Sequence, residues 1–156
     1  MQKYNFIKST FNFSNAPIKR FVKIEKKEDS LKKLKDEISN IENCTLKNNS
    51  KNLVFADGDH DSGIMLIGEG PGQKEDEQGK PFVGDAGLLL NKMLAAINIK
   101  RNKVYVTNIV NYRPPENRKP NEVEINTYAP FIKKHISIIN PKLIILLGSC
   151  LLYTSP

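Results

Sequence analysis

Cysteine is scarce in this 156-residue chain, which holds two, Cys44 and Cys150. No disulfide framework is expected, and a reducing, cytoplasmic setting fits. Long apolar runs are missing too. No stretch approaches the roughly 18 residues that a membrane-spanning helix needs, so no membrane partner is expected. Met1 to Phe13 mixes Lys, Asn and aromatics without an apolar core, which leaves no secretory signal to read. Histidine is limited to His60 and His135. No Ser/His/Asp or Cys/His constellation can be assembled, and no zinc spacing exists. Asp57-Gly58-Asp59-His60-Asp61-Ser62-Gly63 superficially suggests a calcium loop. Ser62 stands where the sixth-position glycine belongs, and Gly68 where the twelfth-position Glu belongs, so calcium is rejected. Internal repeats and low-complexity tracts are absent. The length suits one domain with a real core and is too short for two ordinary ones.

Net charge is present, and it is uneven. The chain carries +7, yet residues 1–35 hold ten Lys/Arg against three Asp/Glu, and the remaining 121 residues hold fourteen of each. The excess therefore sits on an N-terminal segment. Such a segment can hold nucleic acid through phosphate contacts, or it can be a solvated basic tail. Residues 1–29 show no steady periodicity and read as an extension or linker. Residues 30–149 read as the folded domain.

Ser30 reads as an N-cap for an amphipathic helix carrying Leu31, Leu34, Ile38 and Ile41. Residues 42–62 are polar, apart from Leu53-Val54-Phe55. Ile64–Ile67 is a buried strand that runs into Gly68-Glu69-Gly70-Pro71-Gly72. Residues 73–83 read as a charged loop ending in Pro81-Phe82-Val83. A helix from about Ala86 to Ile97 carries Leu89, Leu90, Met93, Leu94 and Ile97. Val104–Asn108 is a second strand. Asn121 with Glu124 forms a capping box for a helix to about Ile139. Pro141 ends it, and Leu143–Leu147, closed by Gly148, is a third strand. Continuous apolar strands alternating with helices are the pattern of an α/β fold, a three-layer α/β/α arrangement with a central parallel sheet. Ligands in such sheets bind beyond the carboxyl ends of the strands, where Gly68–Gly72 and Asn108–Arg118 lie.

The glycine turn lets backbone approach a ligand, or it is a purely structural turn. Its spacing is neither the Walker motif nor the dinucleotide fingerprint. Glu69 and Glu75 bracket it and can position water or accept a base N–H. Asp76 and Glu77 read as surface carboxylates. Phe82 can stack on a flat base or plug the core. Asn108 ends an apolar strand and presents a donor beside an acceptor, the pattern that reads a pyrimidine edge. His135 reads as a surface or satisfied core histidine.

Together these segments resemble one family. Gly68–Gly72, Glu75-Asp76, Gly79-Lys80-Pro81-Phe82-Val83-Gly84 and Ala86-Gly87 look like the first motif of family 4 uracil-DNA glycosylases, the iron–sulfur type. Val104–Asn108 followed by Arg113-Pro114-Pro115-Glu116-Asn117-Arg118 resembles the second conserved stretch. Asn140-Pro141-Lys142 with Leu143–Gly148 resembles the next strand. The match covers about residues 30–149. It implies a parallel four-stranded sheet between helix layers, three of whose strands are present here. It implies hydrolysis of the N-glycosidic bond of deoxyuridine in DNA, single- or double-stranded, by a monomer. By resemblance, the backbone of Gly68, Glu69 and Gly70 binds uracil, Phe82 stacks on the flipped base, Asn108 pairs with its Watson–Crick edge, and Glu75 lies near C5 and excludes thymine's methyl. Related families place an Asp where Gly70 stands, so Glu69 is the candidate for activating water.

Three departures follow. The family's [4Fe–4S] cluster uses four cysteines. The matching positions are Ile41, Cys44, Tyr112 and Tyr128, and one thiol cannot hold a cluster, so none is expected. Tyr112 and Tyr128 are expected to pack where it would sit. The family's fourth strand and His-Pro-Ser segment have no counterpart. Residues 150–156 leave the family pattern and read as a non-native tail on a fragment, which on this reading is inactive and poorly stable. Two other readings stand beside catalysis: a non-catalytic uracil- or DNA-binding module of the same fold, and a generic phosphate binder using the glycine turn.

Overall fold

A computed structural model describes residues 26–42 and 44–148. Most of the basic extension and the 150–156 tail lie outside the described residues. Four strands form one sheet: β1 (Ala56–Gly58), β2 (Ile64–Gly68), β3 (Tyr105–Asn108) and β4 (Leu143–Leu147), in the order β1-β3-β2-β4. β3, β2 and β4 run parallel, and β1 pairs antiparallel with β3. The α/β class and the three parallel strands are as the apolar runs indicate.

Among the described residues, five α-helices accompany the sheet: α1 (Lys27–Ser39), α2 (Thr45–Asn49), α3 (Gln73–Gln78), α4 (Asp85–Ala96) and α5 (Glu122–Ile139). Alternation along β2 and β3 divides the core. Met65, Ile67 and Tyr105 face one way and pack with Leu34 and Ile38 of α1 and Tyr128 and Ile139 of α5. Leu66, Val104 and Val106 pack against Leu90 and Leu94 of α4. Helices on opposite faces give three layers. The connection β2–α4–β3 leaves β2 on one side and β3–α5–β4 returns past it to the other. The lateral order of strand addition thus reverses at β2 while the strands stay parallel, and crevices open at the strand ends where that happens.

Several boundaries differ from the sequence reading. α1 begins at Lys27, and Ser30 lies within it; Glu28 and Asp29 favour the first turn through the helix dipole, without a side-chain cap. Within the polar stretch 42–62, α2 and β1 form. Gly58 adopts φ +101°, and a Cβ there would lie 1.9 Å from the Val104 carbonyl oxygen, so the glycine permits this strand end. The segment taken as a charged loop contains α3. Its buried residue is Asp76, 2% exposed, whose Oδ1 accepts from Lys51 N–H at 2.9 Å and Asn52 N–H at 3.0 Å. Asp76 is therefore a structural anchor and not a surface carboxylate. A helix whose buried face is a carboxylate gives no apolar periodicity to read.

α5 matches its sequence signature at both ends. Asn121 Oδ1 accepts from Glu124 N–H, and Glu124 Oε2 accepts from Asn121 N–H, both at 2.8 Å. The Glu124 carboxyl is held below the usual range, chiefly by hydrogen bonding to Arg118. α4 departs from the expectation. It buries Gly87, Leu90 and Leu94, while Leu88, Leu89, Met93 and Ile97 stay exposed. β4 is an edge strand whose Leu143, Ile144, Ile145 and Leu146 are 37–51% exposed. Among the described residues no strand pairs with the outer edge of β4.

Candidate active site

Gly68 and Asn108 are register partners at the carboxyl ends of β2 and β3. Ile109 N–H donates to the Gly68 carbonyl at 2.8 Å, which carries the pairing past the strand end. A Cβ on Gly68 would lie 2.4 Å from Asn108 Oδ1 and 2.6 Å from the Phe82 ring. Only a residue without a side chain lets the amide and the ring converge there. Beside them lies a hollow of about 230 Å³ lined by Gly70, Gly72, Glu75, Phe82, Gly84, Asp85, Ala86 and Asn108.

Asn108 is 2% exposed, and its Oδ1 has no hydrogen-bond partner. An orphaned buried acceptor costs about 1–3 kcal/mol, a cost that a ligand N–H would remove. Phe82 is half-buried, with φ +55°, a conformation unusual for a bulky residue. Glu75 Oε1 accepts from Val83 N–H at 2.9 Å and Gly84 N–H at 2.7 Å. The sequence-predicted Gly70, Glu75, Phe82 and Asn108 thus meet in one place. Gly68 lies against the Asn108 amide and the Phe82 ring beside it.

Glu69 goes elsewhere. It lines an adjacent hollow of about 140 Å³ with Pro114, Asn117, Arg118 and Lys119, and its side chain lies against Gly148. That hollow is edged by the loop after β3, where Glu116 and Asn117 both adopt φ +56°. The loop is braced by Arg113 Nε donating to Asn117 Oδ1 at 2.8 Å and by two hydrogen bonds from Arg118 to Glu124.

Both histidines are engaged away from the hollow. His135 is buried, stacks on Phe55 with ring centroids 4.7 Å apart, and lies 2.7 Å from the Tyr105 hydroxyl. Burial lowers its pKa to about 4, so it is neutral at pH 7. It is the satisfied core histidine of the two sequence-level alternatives. His60 sits beside Glu28 and Asp61.

The four positions that match cluster ligands do converge. Cys44, Tyr112 and Tyr128 share one buried core cluster with Ile41 packed against it. Cys44 Sγ lies 3.3 Å from the Tyr128 hydroxyl. Burial raises the pKa of both tyrosines, so both are neutral phenols at pH 7. One thiol, two phenols and an isoleucine do not provide the thiolate set that an iron–sulfur cluster needs. No residue elsewhere in the described chain joins a group of metal-ligating side chains.

Arg101 was not singled out from sequence. Arg101 donates to the Pro81 carbonyl at 3.0 Å and to Asp57 at 3.2 Å, which ties the Phe82 segment to β1. It has no local sequence signal, because it acts on groups distant in the chain.

The family model for the Uracil DNA glycosylase superfamily matches residues 55–153. A type-4 uracil-DNA glycosylase of Pyrobaculum aerophilum is 43% identical over 118 residues, 76% of this chain and 60% of that protein. One of Sulfurisphaera tokodaii is 44% identical over 121 residues, 77% of this chain and 55% of that protein. One of Thermotoga maritima is 44% identical over 106 residues, 68% and 55% respectively. The chain thus spans between 55% and 60% of the length of these curated relatives.

Proposed function

Since the chain belongs to the uracil DNA glycosylase superfamily, we propose that its protein hydrolyses the N-glycosidic bond of deoxyuridine in DNA and releases uracil. The observation that carries this reading is the orphaned Asn108 Oδ1 beside the Phe82 ring. Uracil offers an N–H at N3 flanked by carbonyl oxygens. Cytosine offers an acceptor at N3 and an amino group beside it. An acceptor held on buried backbone at the end of β3 takes the N3–H of uracil and meets a lone pair on cytosine. Phe82 supplies a flat face for the base. Such a base reaches the hollow only after leaving the duplex stack or from a single strand. Gly68, Glu69 and Gly70 would approach it through backbone, and by resemblance Glu75 would crowd a substituent on the ring. Departing uracil is anionic, so preorganised donors at this site would stabilise the transition state. Glu69 remains the candidate for positioning water, from the adjacent hollow.

The protein would act as a monomer on uracil-containing DNA, single- or double-stranded, in the cytoplasm and without an iron–sulfur cluster. The single thiol among the four converging positions supports the last point. No helix of the described residues is long and apolar enough to cross a membrane.

The full-length protein should generate abasic sites in an oligonucleotide containing uracil and leave cytosine and thymine counterparts intact. Asn108→Ala should lower the rate by about 10²–10³, the scale for removing one preorganised polar partner. Absence of abasic product under all conditions would refute catalysis. A second reading, a binding module without turnover, draws on the engagement of both histidines away from the hollow. Binding of uracil-containing single strands without cleavage by the full-length protein would establish it.

A further inference from the structure

Phe82 holds a backbone conformation that a bulky residue rarely adopts, and the reason lies around it. Its φ is +55°. Such a conformation persists only where surroundings over-determine it. Three contacts do so here. Ahead of it, the Pro81 carbonyl accepts from the Arg101 guanidinium at 3.0 Å. At Phe82 itself, the carbonyl oxygen would lie 1.9 Å from a Cβ on Gly87, so α4 admits it because residue 87 is glycine. After it, the amides of Val83 and Gly84 both donate to Glu75 Oε1, at 2.9 and 2.7 Å. Hydrogen bonds to an ionised acceptor are the strong kind. The other carboxylate oxygen lies 2.8 Å from where a Cβ on Gly72 would stand, and a Cβ on Gly84 would lie 3.1 Å from Oε1. Two glycines therefore make room for this one carboxylate. The preceding residue of α3, Lys74, binds Asp85 in the first turn of α4 at 2.8 Å, a second link between α3 and the start of α4.

We infer that Glu75 is a positioning residue, whose carboxylate clamps the 82–84 backbone so that the Phe82 ring stands over Gly68 beside Asn108. This inference rests on the reading of the hollow as a base pocket. It differs from the role that resemblance assigns, in which Glu75 meets the base and rejects a methyl group. A direct contact sets the preference between uracil and thymine. A clamp sets how well either base stacks.

The test uses this chain, free uracil and free thymine as ligands, and NMR titration of the wild type, Glu75→Gln, Glu75→Ala, Phe82→Ala and the Glu75→Ala/Phe82→Ala double variant. Phe82→Ala should weaken uracil binding about tenfold, the scale of one base–aromatic stack. Glu75→Ala should weaken it by a similar factor, with the uracil-to-thymine ratio unchanged. The double variant should be no worse than either single one, because the clamp acts through the ring. Glu75→Gln keeps an acceptor oxygen and should recover most of the loss. A thymine affinity that rises in Glu75→Ala, or losses that add in the double variant, would overturn the clamp in favour of direct contact. A second readout is independent of ligand. The Val83 and Gly84 amide protons should resonate downfield in the wild type and move upfield in Glu75→Ala, together with the Gly68 signals under the ring. Fixed positions for all three would also overturn it. If Phe82→Ala leaves uracil affinity untouched, the pocket reading fails, and these amide shifts still decide the clamp.

Discussion

β3 and β4 flank the same strand, and they have opposite fates. Both pair in parallel with β2, and Val106 and Ile145 are register partners of the same Leu66. Every residue of β3 is buried, whereas four of the five residues of β4 are exposed. β3 has helices over both faces and β1 along its outer edge. β4 has an open edge, and α4 leaves Leu89, Met93 and Ile97 exposed. An apolar run therefore marks a strand and says nothing of what covers it. The candidate base pocket opens at the covered β2–β3 junction and is completed by α3 and the segment leading into α4.

That contrast predicts where stability resides. Acid should act first on the β3 half. His135, packed against Tyr105, has its pKa lowered from 6.5 to about 4 by burial. A neutral buried histidine stabilises above the unfolded pKa, and that contribution falls as pH drops through 6.5 towards 4, because the unfolded chain takes up the proton first. The full effect is on the order of 3 kcal/mol. Urea melts from pH 7 to 4 should show it, and His135→Gln should remove most of the slope. An unchanged slope would place the acid sensitivity elsewhere.

A smaller effect tests the two flanking strands directly. Val106→Ala should cost about 2 kcal/mol, since it opens a cavity against Leu66 and Leu94. Ile145→Ala removes a larger side chain and should cost below about 1 kcal/mol, as half-exposed sites do. Equal losses in denaturant melts would mean that β4 is covered in solution.

Periodicity made most of the scaffold legible. β2, β3, β4 and α5 lie within a residue of their predicted limits, because each has an apolar run or a capping box. α2, α3 and β1 were not legible. α2 and α3 each bury one residue, a leucine and a carboxylate, and β1 buries none; their partners lie far along the chain, as with Asp76 and the amides of Lys51 and Asn52. The site residues Phe82 and Asn108 stood out by type, each polar or aromatic group sitting at a strand or loop end. Their convergence over Gly68 needed the β2–β3 register. The role of Glu75 as a hydrogen-bond acceptor for two amides was invisible, because an exposed-looking acidic run hid it.

The most direct measurement of the central claim follows the side-chain amide of Asn108 by NMR as uracil and cytosine are added separately to this chain. The account predicts that uracil shifts the Asn108 side-chain resonances and those of Gly68 and Phe82 in a saturable way, and that cytosine leaves them in place. Equal responses to the two bases, or a uracil response confined to residues away from this hollow, would contradict it.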